Sequence, residues 1–112
     1  MIIRSSLSAV KHDILKYHSN KTFVFYFGTE DNKGKSWCSD CVIGNPLVRN
    51  AIVKLNCTLI EVPVGEKAAW KDKTHPLRPD ISAIPTLVHT ISKKQLIEDM
   101  SNVEEFLQSE IK

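Results

Sequence analysis

The stretch SWCSDC, from Ser36 to Cys41, places two cysteines three positions apart directly after a tryptophan. A pair with this spacing can hold a metal ion, form a structural disulfide, or alternate between dithiol and disulfide as a redox centre. The whole chain of 112 residues has three cysteines, an odd number and too few for a disulfide scaffold. We therefore favour a redox or metal-binding role over a structural bridge.

The spacing of the pair suits reversible disulfide chemistry if Cys38 opens a helix. Cys41 then lies one turn further on the same face, with Cβ atoms about 5–6 Å apart, and a disulfide needs roughly 3.5–4.5 Å. At the start of a helix, unpaired amides and the helix dipole stabilise a thiolate on Cys38. We predict that Cys38 is the nucleophile and that Cys41 is the resolving thiol, which releases the reduced substrate.

Apolar runs on both sides of the pair predict strands that alternate with helices. The run TFVFYFG, residues 22–28, consists of aromatic and β-branched side chains and indicates a strand buried on both faces. Further strands are predicted at residues 1–4, 57–62, 84–90 and 95–100, and a short helix with an irregular loop at residues 66–80. This alternation predicts one α/β domain over residues 1–112, with a central mixed β-sheet flanked by helices.

Longer helices are predicted where apolar side chains recur every three or four residues. The first has the face Leu7, Val10, Ile14 and Tyr17, with an N-cap at Ser5, Ser6 or Ser8. The second has the face Cys41, Val42, Leu47, Val48, Ala51, Ile52 and Leu55. Pro46 predicts a kink in it, because proline lacks the amide that would bond the carbonyl of Val42. The last has capping-box spacing from Ser101 to Glu104 and the face Val103, Phe106, Leu107 and Ile111.

The charge and hydropathy of the chain argue against some classes of binding partner. The 15 basic and 13 acidic residues alternate and leave a formal charge of +2, so nucleic acid and anionic membranes are not expected partners. No run reaches the ~18 apolar residues of a membrane span, and the N-terminal segment is too polar for a signal peptide. We expect a monomer in the cytosol.

Several motifs together resemble a known family. Trp37 precedes a C-x-D-C site, Pro46 follows Cys38 by eight residues, and Ile84-Pro85 precedes a predicted strand. With the long loop YFGTEDNKGKS and the segment VGEKAAWKDK, the chain resembles the small cytosolic thioredoxin-related proteins of the thioredoxin domain-containing protein 17 type, which carry a W-C-P-D-C site. The resemblance covers nearly the whole chain.

This resemblance implies a thioredoxin-like fold and the reduction of small-molecule or selected protein disulfides. It implies no bound cofactor, because thioredoxin reductase as partner passes electrons from NADPH to the Cys38–Cys41 disulfide. It also implies that Trp37, Ser39, Ile84 and a cis Pro85 contact the substrate. Ser39 stands where the family usually has proline.

Asp40 is the predicted proton acceptor for the second thiol. The resemblance suggests an acid in the central strand for this role, but residues 22–28 contain none. Asp40 is the nearest acid in the sequence.

Two other interpretations of the pair remain open at this point. One is a binding module with the same fold and resting cysteines. The other is a zinc site, which would need Cys57, His75 or His89 to complete four ligands, although no second C-x-x-C or close histidine pair is present. Cys57 is otherwise predicted to be a small buried hydrophobe, and the four histidines are predicted to be noncatalytic.

Overall fold

A computed structural model describes residues 1–111. In chain order, the elements are β1 (Ile2–Arg4), α1 (Val10–Lys16), β2 (Thr22–Phe27), α2 (Ser39–Lys54), β3 (Thr58–Pro63), α3 (Lys67–Lys71), β4 (Thr86–His89), β5 (Gln95–Ile97) and α4 (Val103–Glu110). Strands and helices alternate as predicted.

The five strands form one mixed sheet in the order β1-β3-β2-β4-β5. β3 pairs in parallel with both β1 and β2, whereas β4 pairs antiparallel with β2 and with β5. β2 is therefore the central strand, and all six of its residues are buried. The predicted α/β class and the buried central strand are confirmed.

Helices cover both faces of the sheet. Successive side chains of β2 point to opposite faces, so this strand packs against both helix layers. On one face, the Phe23 ring lies 6.1 Å from that of Phe106 on α4, and Arg49 of α2 lies over the Phe27 ring. On the other face, Val24 and Tyr26 line a cavity together with residues of α1. The face with α2 and α4 carries the cysteine pair.

Helix α2 begins where the cysteine spacing predicts and contains Pro46. Its predicted apolar stripe is wrong in part, because Val42 and Leu47 are each 41% exposed. The buried stripe instead passes through Gly44 and Asn45. At 3.6 residues per turn these two positions lie between Cys41 and Val48 on the covered face.

Several element ends differ from the predictions: for example, α1 begins at Val10, so that Leu7 lies outside the helix, and β4 begins at Thr86 rather than at residue 84. The N-cap of α1 is Ala9, although Ser6 Oγ accepts a hydrogen bond from the Ala9 amide, and the N-cap of α4 is Asn102 rather than Ser101. Strand β5 stops at Ile97, because Glu98 has φ 65°, in the left-handed region that a strand does not use. Capping side chains were the weakest part of the sequence interpretation because several neighbouring polar residues could serve equally.

A cluster of four charged side chains ties the elements on the site's face together. Glu61 of β3 is 3% exposed and binds Arg49 of α2 at 2.6 Å and Arg4 of β1 at 3.1 Å. Arg49 and Arg4 also contact Glu30, which lies in the loop after β2, at 3.1 and 3.5 Å. We call Arg4, Glu30, Arg49 and Glu61 the ion cluster. None of the helices within residues 1–111 is long and apolar enough to cross a membrane.

Candidate active site

Cys38 is the N-cap residue of α2. Its backbone is extended, with φ −88° and ψ 114°, and its sulfur accepts a hydrogen bond from the Cys41 amide at 3.2 Å. That amide is one of those left without a partner in the first turn of a helix, so a negative sulfur at this position is stabilised. The side chain is partly exposed, and a substrate can therefore reach the sulfur.

Cys41 is fully buried, one turn further along α2. Burial, together with the neighbouring Cys38, raises the pKa of the Cys41 thiol far above its usual range, while the amide of Gly28 donates to its sulfur at 3.5 Å and opposes the rise. Both cysteines are present as free thiols. The pair thus combines one accessible and one protected sulfur.

Ser36 and Trp37 hold the loop against the start of α2. The buried Ser36 hydroxyl donates to the carbonyl of Gly28 at 2.7 Å and accepts from the amide of Cys38 at 3.1 Å. The Trp37 indole donates to the carbonyl of Gly65 at 2.9 Å. Trp37 also packs over Gly28, where an added Cβ would lie only 2.8 Å from the ring. This close approach requires glycine at position 28.

The loop before β4 closes the other side of Cys38. The carbonyl oxygen of Ile84 lies 4.0 Å from Cys38 Sγ, and the Ile84–Pro85 peptide bond is cis, as the resemblance implied. Gly44 allows α2 to approach Pro85 of this loop and Met100 in the segment after β5, because an added Cβ would lie 3.4 Å from Pro85 and 2.9 Å from Met100. The structure therefore brings residues 38 and 84–85 together from distant parts of the sequence.

Ser39 and Asp40 are both exposed in the first turn of α2. Asp40 lines a groove with Glu98 and Asp99, whereas Cys41 lines a separate cavity with Glu30. The role of Asp40 as proton acceptor stays a prediction. Asp40 is exposed to solvent, whereas the Cys41 thiol is buried.

The remaining candidate ligands lie elsewhere in buried positions. Cys57 is 1% exposed, in agreement with its interpretation as a small buried hydrophobe. The rings of His75 and His89 are bound to the backbone carbonyls of Val64 and Asn20, at 2.8 and 2.7 Å. In the part of the chain from residue 1 to 111, no three His, Cys, Asp or Glu side chains are grouped so that they could hold a metal ion.

Sequence reasoning missed Ser36, Gly44, Asn45 and the ion cluster as parts of this site. Ser36 sits two positions before Cys38 and could have been suspected from proximity alone. The others depend on contacts between separate elements, and no local pattern marks them.

Comparison with known proteins places the site in a family context. A sequence model described as "Thioredoxin domain-containing protein 17-like, thioredoxin domain" matches residues 5–110. The chain is 37% identical over 107 residues to thioredoxin domain-containing protein 17 of Homo sapiens, covering 88% of this chain and 87% of the human one. It is 28% identical over 92 residues to the thioredoxin-like protein Clot of Arabidopsis thaliana, covering 77% and 69% of the two chains.

Solved structures confirm the predicted thioredoxin-like fold. The chain superimposes on a reduced thioredoxin pre-protein of Schistosoma mansoni with a TM-score of 0.66 at 22% identity, covering 97% of both chains. It is also similar to chloroplastic thioredoxin z, with a TM-score of 0.62 at 17% identity, covering 96% of this chain and 92% of the other.

Proposed function

The chain belongs to the thioredoxin domain-containing protein 17-like family, and on this premise we propose that it reduces small-molecule or selected protein disulfides through Cys38 and Cys41. In this proposal the protein is a thiol–disulfide oxidoreductase. Thioredoxin reductase returns the oxidised pair to the dithiol with electrons from NADPH. No metal or organic cofactor takes part within the chain.

The observation that carries the proposal is the difference between the two thiols at the start of α2. Cys38 Sγ is partly exposed and accepts a hydrogen bond from the Cys41 amide at 3.2 Å, which supports attack by its thiolate on a substrate disulfide. Cys41 is buried one turn away, where a substrate cannot reach it. This arrangement supports an ordered reaction with Cys38 first and Cys41 second.

Residues around Cys38 are the proposed contacts for the substrate. Trp37 and Ser39 border it in sequence, and Ile84 and Pro85 border it across the site, with the Ile84 carbonyl 4.0 Å from the sulfur. A bound disulfide would lie between these two segments. We propose that the protein works in the cytosol as a monomer, because a single copy carries both reacting thiols.

A coupled assay tests the proposal directly. Purified protein is mixed with thioredoxin reductase and NADPH, and NADPH oxidation is followed with cystine or insulin as separate disulfide acceptors. We expect oxidation that depends on Cys38 and on Cys41. The Cys57→Ser variant is the matched control and should retain the native rate, because Cys57 lies outside the site.

Other outcomes would favour the other interpretations of the pair. Absence of NADPH oxidation with both acceptors, together with no mixed disulfide on Cys38, would contradict the proposal and favour a binding module. Stoichiometric zinc in the purified protein, with Cys38 and Cys41 protected from alkylation, would instead favour a metal site.

A further inference from the structure

A cavity of about 850 Å³ lies on the face of the sheet opposite the cysteine pair. Its walls are α1, the strands β2 and β4, and the segment of residues 76–81. α3 ends at Lys71, and residues 72–85 form neither a helix nor a strand, so an irregular segment packs beside α1. No cysteine lines the cavity, and it is therefore separate from the candidate active site.

The walls of this cavity are largely apolar. Six aliphatic side chains line it from α1, the sheet and the irregular segment, namely Val10, Ile14, Val24, Leu77, Ile81 and Val88. Apolar ligand surface that is removed from water against such walls contributes roughly 25 cal/mol per Å². The volume also falls within the range of about 300–1,000 Å³ that is usual for small-molecule sites. The cavity therefore suits a ligand with an apolar body.

Tyr26 supplies a polar group within these walls. Its side chain is 8% exposed, and its hydroxyl has no hydrogen-bond partner among residues 1–111. Burial and the charge of Asp80 raise the pKa of this hydroxyl, so it is protonated at neutral pH and can both donate and accept. A buried tyrosine hydroxyl usually has a partner. A ligand hydroxyl or carbonyl beside Tyr26 would provide one.

Lys93 marks the other end of the cavity. Its amide donates to the carbonyl of His89 at 3.0 Å, and His89 pairs with Phe23 of β2. Tyr26 lies three residues further along β2, which is about 10 Å at the rise of a strand. The cavity therefore extends along β2, with a cation at one end and a neutral hydroxyl at the other.

The charges at the cavity favour one direction for a bound ligand. Lys11 and Lys93 both line the cavity, and in the part of the chain from residue 1 to 111 neither forms an ion pair with an acid. Asp80 also lines it, and its charge acts on the Tyr26 hydroxyl. A ligand anion is therefore attracted to the end at Lys93 and repelled from the end at Tyr26.

We propose that this cavity binds an elongated monocarboxylate. Its carboxylate lies at Lys93, its apolar body lies across Val24 and Val88, and a hydroxyl or carbonyl group on the far end bonds to Tyr26. The apolar walls, the span between the two ends and the position of the unpaired cation all match this class of molecule. The inference goes beyond the proposed reductase function and does not depend on it.

Four probes of equal chain length test the proposal, namely decanoate, ω-hydroxydecanoate, decanol and decylamine, each used below its micelle concentration. Isothermal titration calorimetry of the reduced protein measures their affinities, and amide NMR locates the bound probe. We expect both carboxylates to bind more tightly than decanol, and decylamine to bind most weakly. The amide signals of Val24, Tyr26 and Val88 should shift when decanoate is added.

A bulky substitution tests whether the probes occupy the cavity. Ile14→Trp fills it from α1 and should weaken decanoate binding about tenfold or more, because the apolar body loses its place against the walls. Leu15→Trp is the matched control. It adds the same ring at the next position, where the side chain is 77% exposed and does not line the cavity, and should retain the native affinity.

Two smaller substitutions test the polar ends and remain informative if Ile14→Trp does not fold. Lys93→Met should weaken both carboxylates by up to about fivefold, the upper range for an exposed ion pair, and leave decanol unaffected. Lys94→Met makes the same change of charge outside the cavity and should bind as the native protein does. Tyr26→Phe should weaken only ω-hydroxydecanoate, by about fivefold, as expected for one net hydrogen bond.

Several outcomes would overturn the proposal. These are no binding of any probe, binding of decylamine as tight as that of decanoate, or equal decanoate affinities in Ile14→Trp and Leu15→Trp. Shifts of the cavity amides with rising protein concentration, without binding of any probe, would instead assign the cavity to a second copy of the chain. None of these results changes the coupled assay with thioredoxin reductase, so the proposed function is tested separately.

Discussion

Cys38 and Cys41 differ in accessibility because one helical turn separates a partly exposed position from a fully buried one. Both have the same side chain, and both lie at the start of α2. The amide of Cys41 faces the sulfur of Cys38, whereas the sulfur of Cys41 receives the amide of Gly28. In the proposed reaction, burial and hydrogen bonding, rather than residue type, divide the roles of attack and resolution.

Replacing Cys41 with serine should trap the substrate on Cys38. Without the second thiol, the mixed disulfide has no internal route to resolution, so it should accumulate as an added substrate mass on Cys38. Mass spectrometry of peptides from the Cys41→Ser protein after mixing with cystine measures this. The same experiment on Cys38→Ser should show no adduct on Cys41, because its thiol is buried, and an adduct there or on Cys57 would reverse the assignment.

Buried thiols should make the reduced protein less stable at alkaline pH. Burial raises the pKa of both Cys41 and Cys57, so their contribution to stability is complete below the ordinary cysteine pKa and is lost as pH rises through the folded-state values. Between about pH 8.5 and pH 10, the free energy of unfolding should fall by up to about 1.4 kcal/mol per pH unit for each thiol. Urea denaturation with a reductant present measures the slope.

The Cys57→Ala variant provides the comparison for this prediction. It should show a shallower loss of stability over the same pH range, because one of the two buried thiols is absent. A slope equal to that of the native protein would show that Cys57 ionises as readily in the folded state as in the unfolded state.

At the scale of elements, the site depends on two close approaches, one in the loop that leads into α2 and one on α2 itself. The loop after β2 packs Trp37 over Gly28, and the loop before β4 packs Pro85 near Gly44. At each glycine, a neighbouring side chain occupies the space that a Cβ would otherwise take. The positions of Trp37 and Pro85 beside Cys38 therefore follow from the two glycines.

Adding a methyl group at position 28 should disturb the site more than adding one at position 44. In Gly28→Ala the new Cβ meets the rigid Trp37 ring at 2.8 Å and Ser36 Oγ at 2.9 Å, whereas in Gly44→Ala it meets the flexible Met100 side chain at 2.9 Å. Overpacking of this kind costs typically about 1–3 kcal/mol, and we expect Gly28→Ala at the upper end. Urea denaturation and tryptophan fluorescence check this, and equal costs would contradict it.

At the scale of the whole molecule, the ion cluster joins β1, the loop after β2, α2 and β3. Its members are separated in sequence but converge on Glu61, which is 3% exposed. A buried carboxylate is tolerated only when it is paired. The cluster therefore couples the orientation of α2, and with it the cysteine pair, to the centre of the sheet.

Removing the central cation of the cluster should destabilise the fold. Arg49→Met leaves Glu61 with Arg4 alone and removes the closest cation from Glu30. We expect the free energy of unfolding to fall by about 3 kcal/mol. This is the lower end for a broken buried ion pair, because the Arg49 side chain is 29% exposed. Chemical denaturation at pH 7 measures the loss.

Lys54→Met is the matched control for this variant. Lys54 lies in α2, like Arg49, and forms an exposed ion pair with Glu104 of α4 at 3.1 Å. Removing this cation should lower the free energy of unfolding by less than about 1 kcal/mol. The loss in Arg49→Met should also shrink as pH falls, because the lowered pKa of Glu30 marks stability that is present above its ordinary pKa and lost on protonation. Similar losses for Arg49→Met and Lys54→Met would show that the cluster adds no stability beyond a surface pair.

The sequence by itself determined the α/β class, the buried central strand and the helix that begins at the cysteine pair. These features follow from local patterns, namely the unbroken run of residues 22–27 and two cysteines one helical turn apart. The sequence did not predict that Val42 and Leu47 are exposed, because the apolar character of a residue does not show which side of its helix is covered.

Only the tertiary structure decided how the two thiols are surrounded. The burial of Cys41, the amide of Gly28 on its sulfur, and the unpaired oxygen of Asn45 all arise where α2 meets the loop after β2. The contact between Arg49 and Glu61 likewise joins a helix to a strand. Such contacts depend on how the elements pack in space. The hydrophobic period and the residue spacing, in contrast, describe only residues that are near one another along the chain.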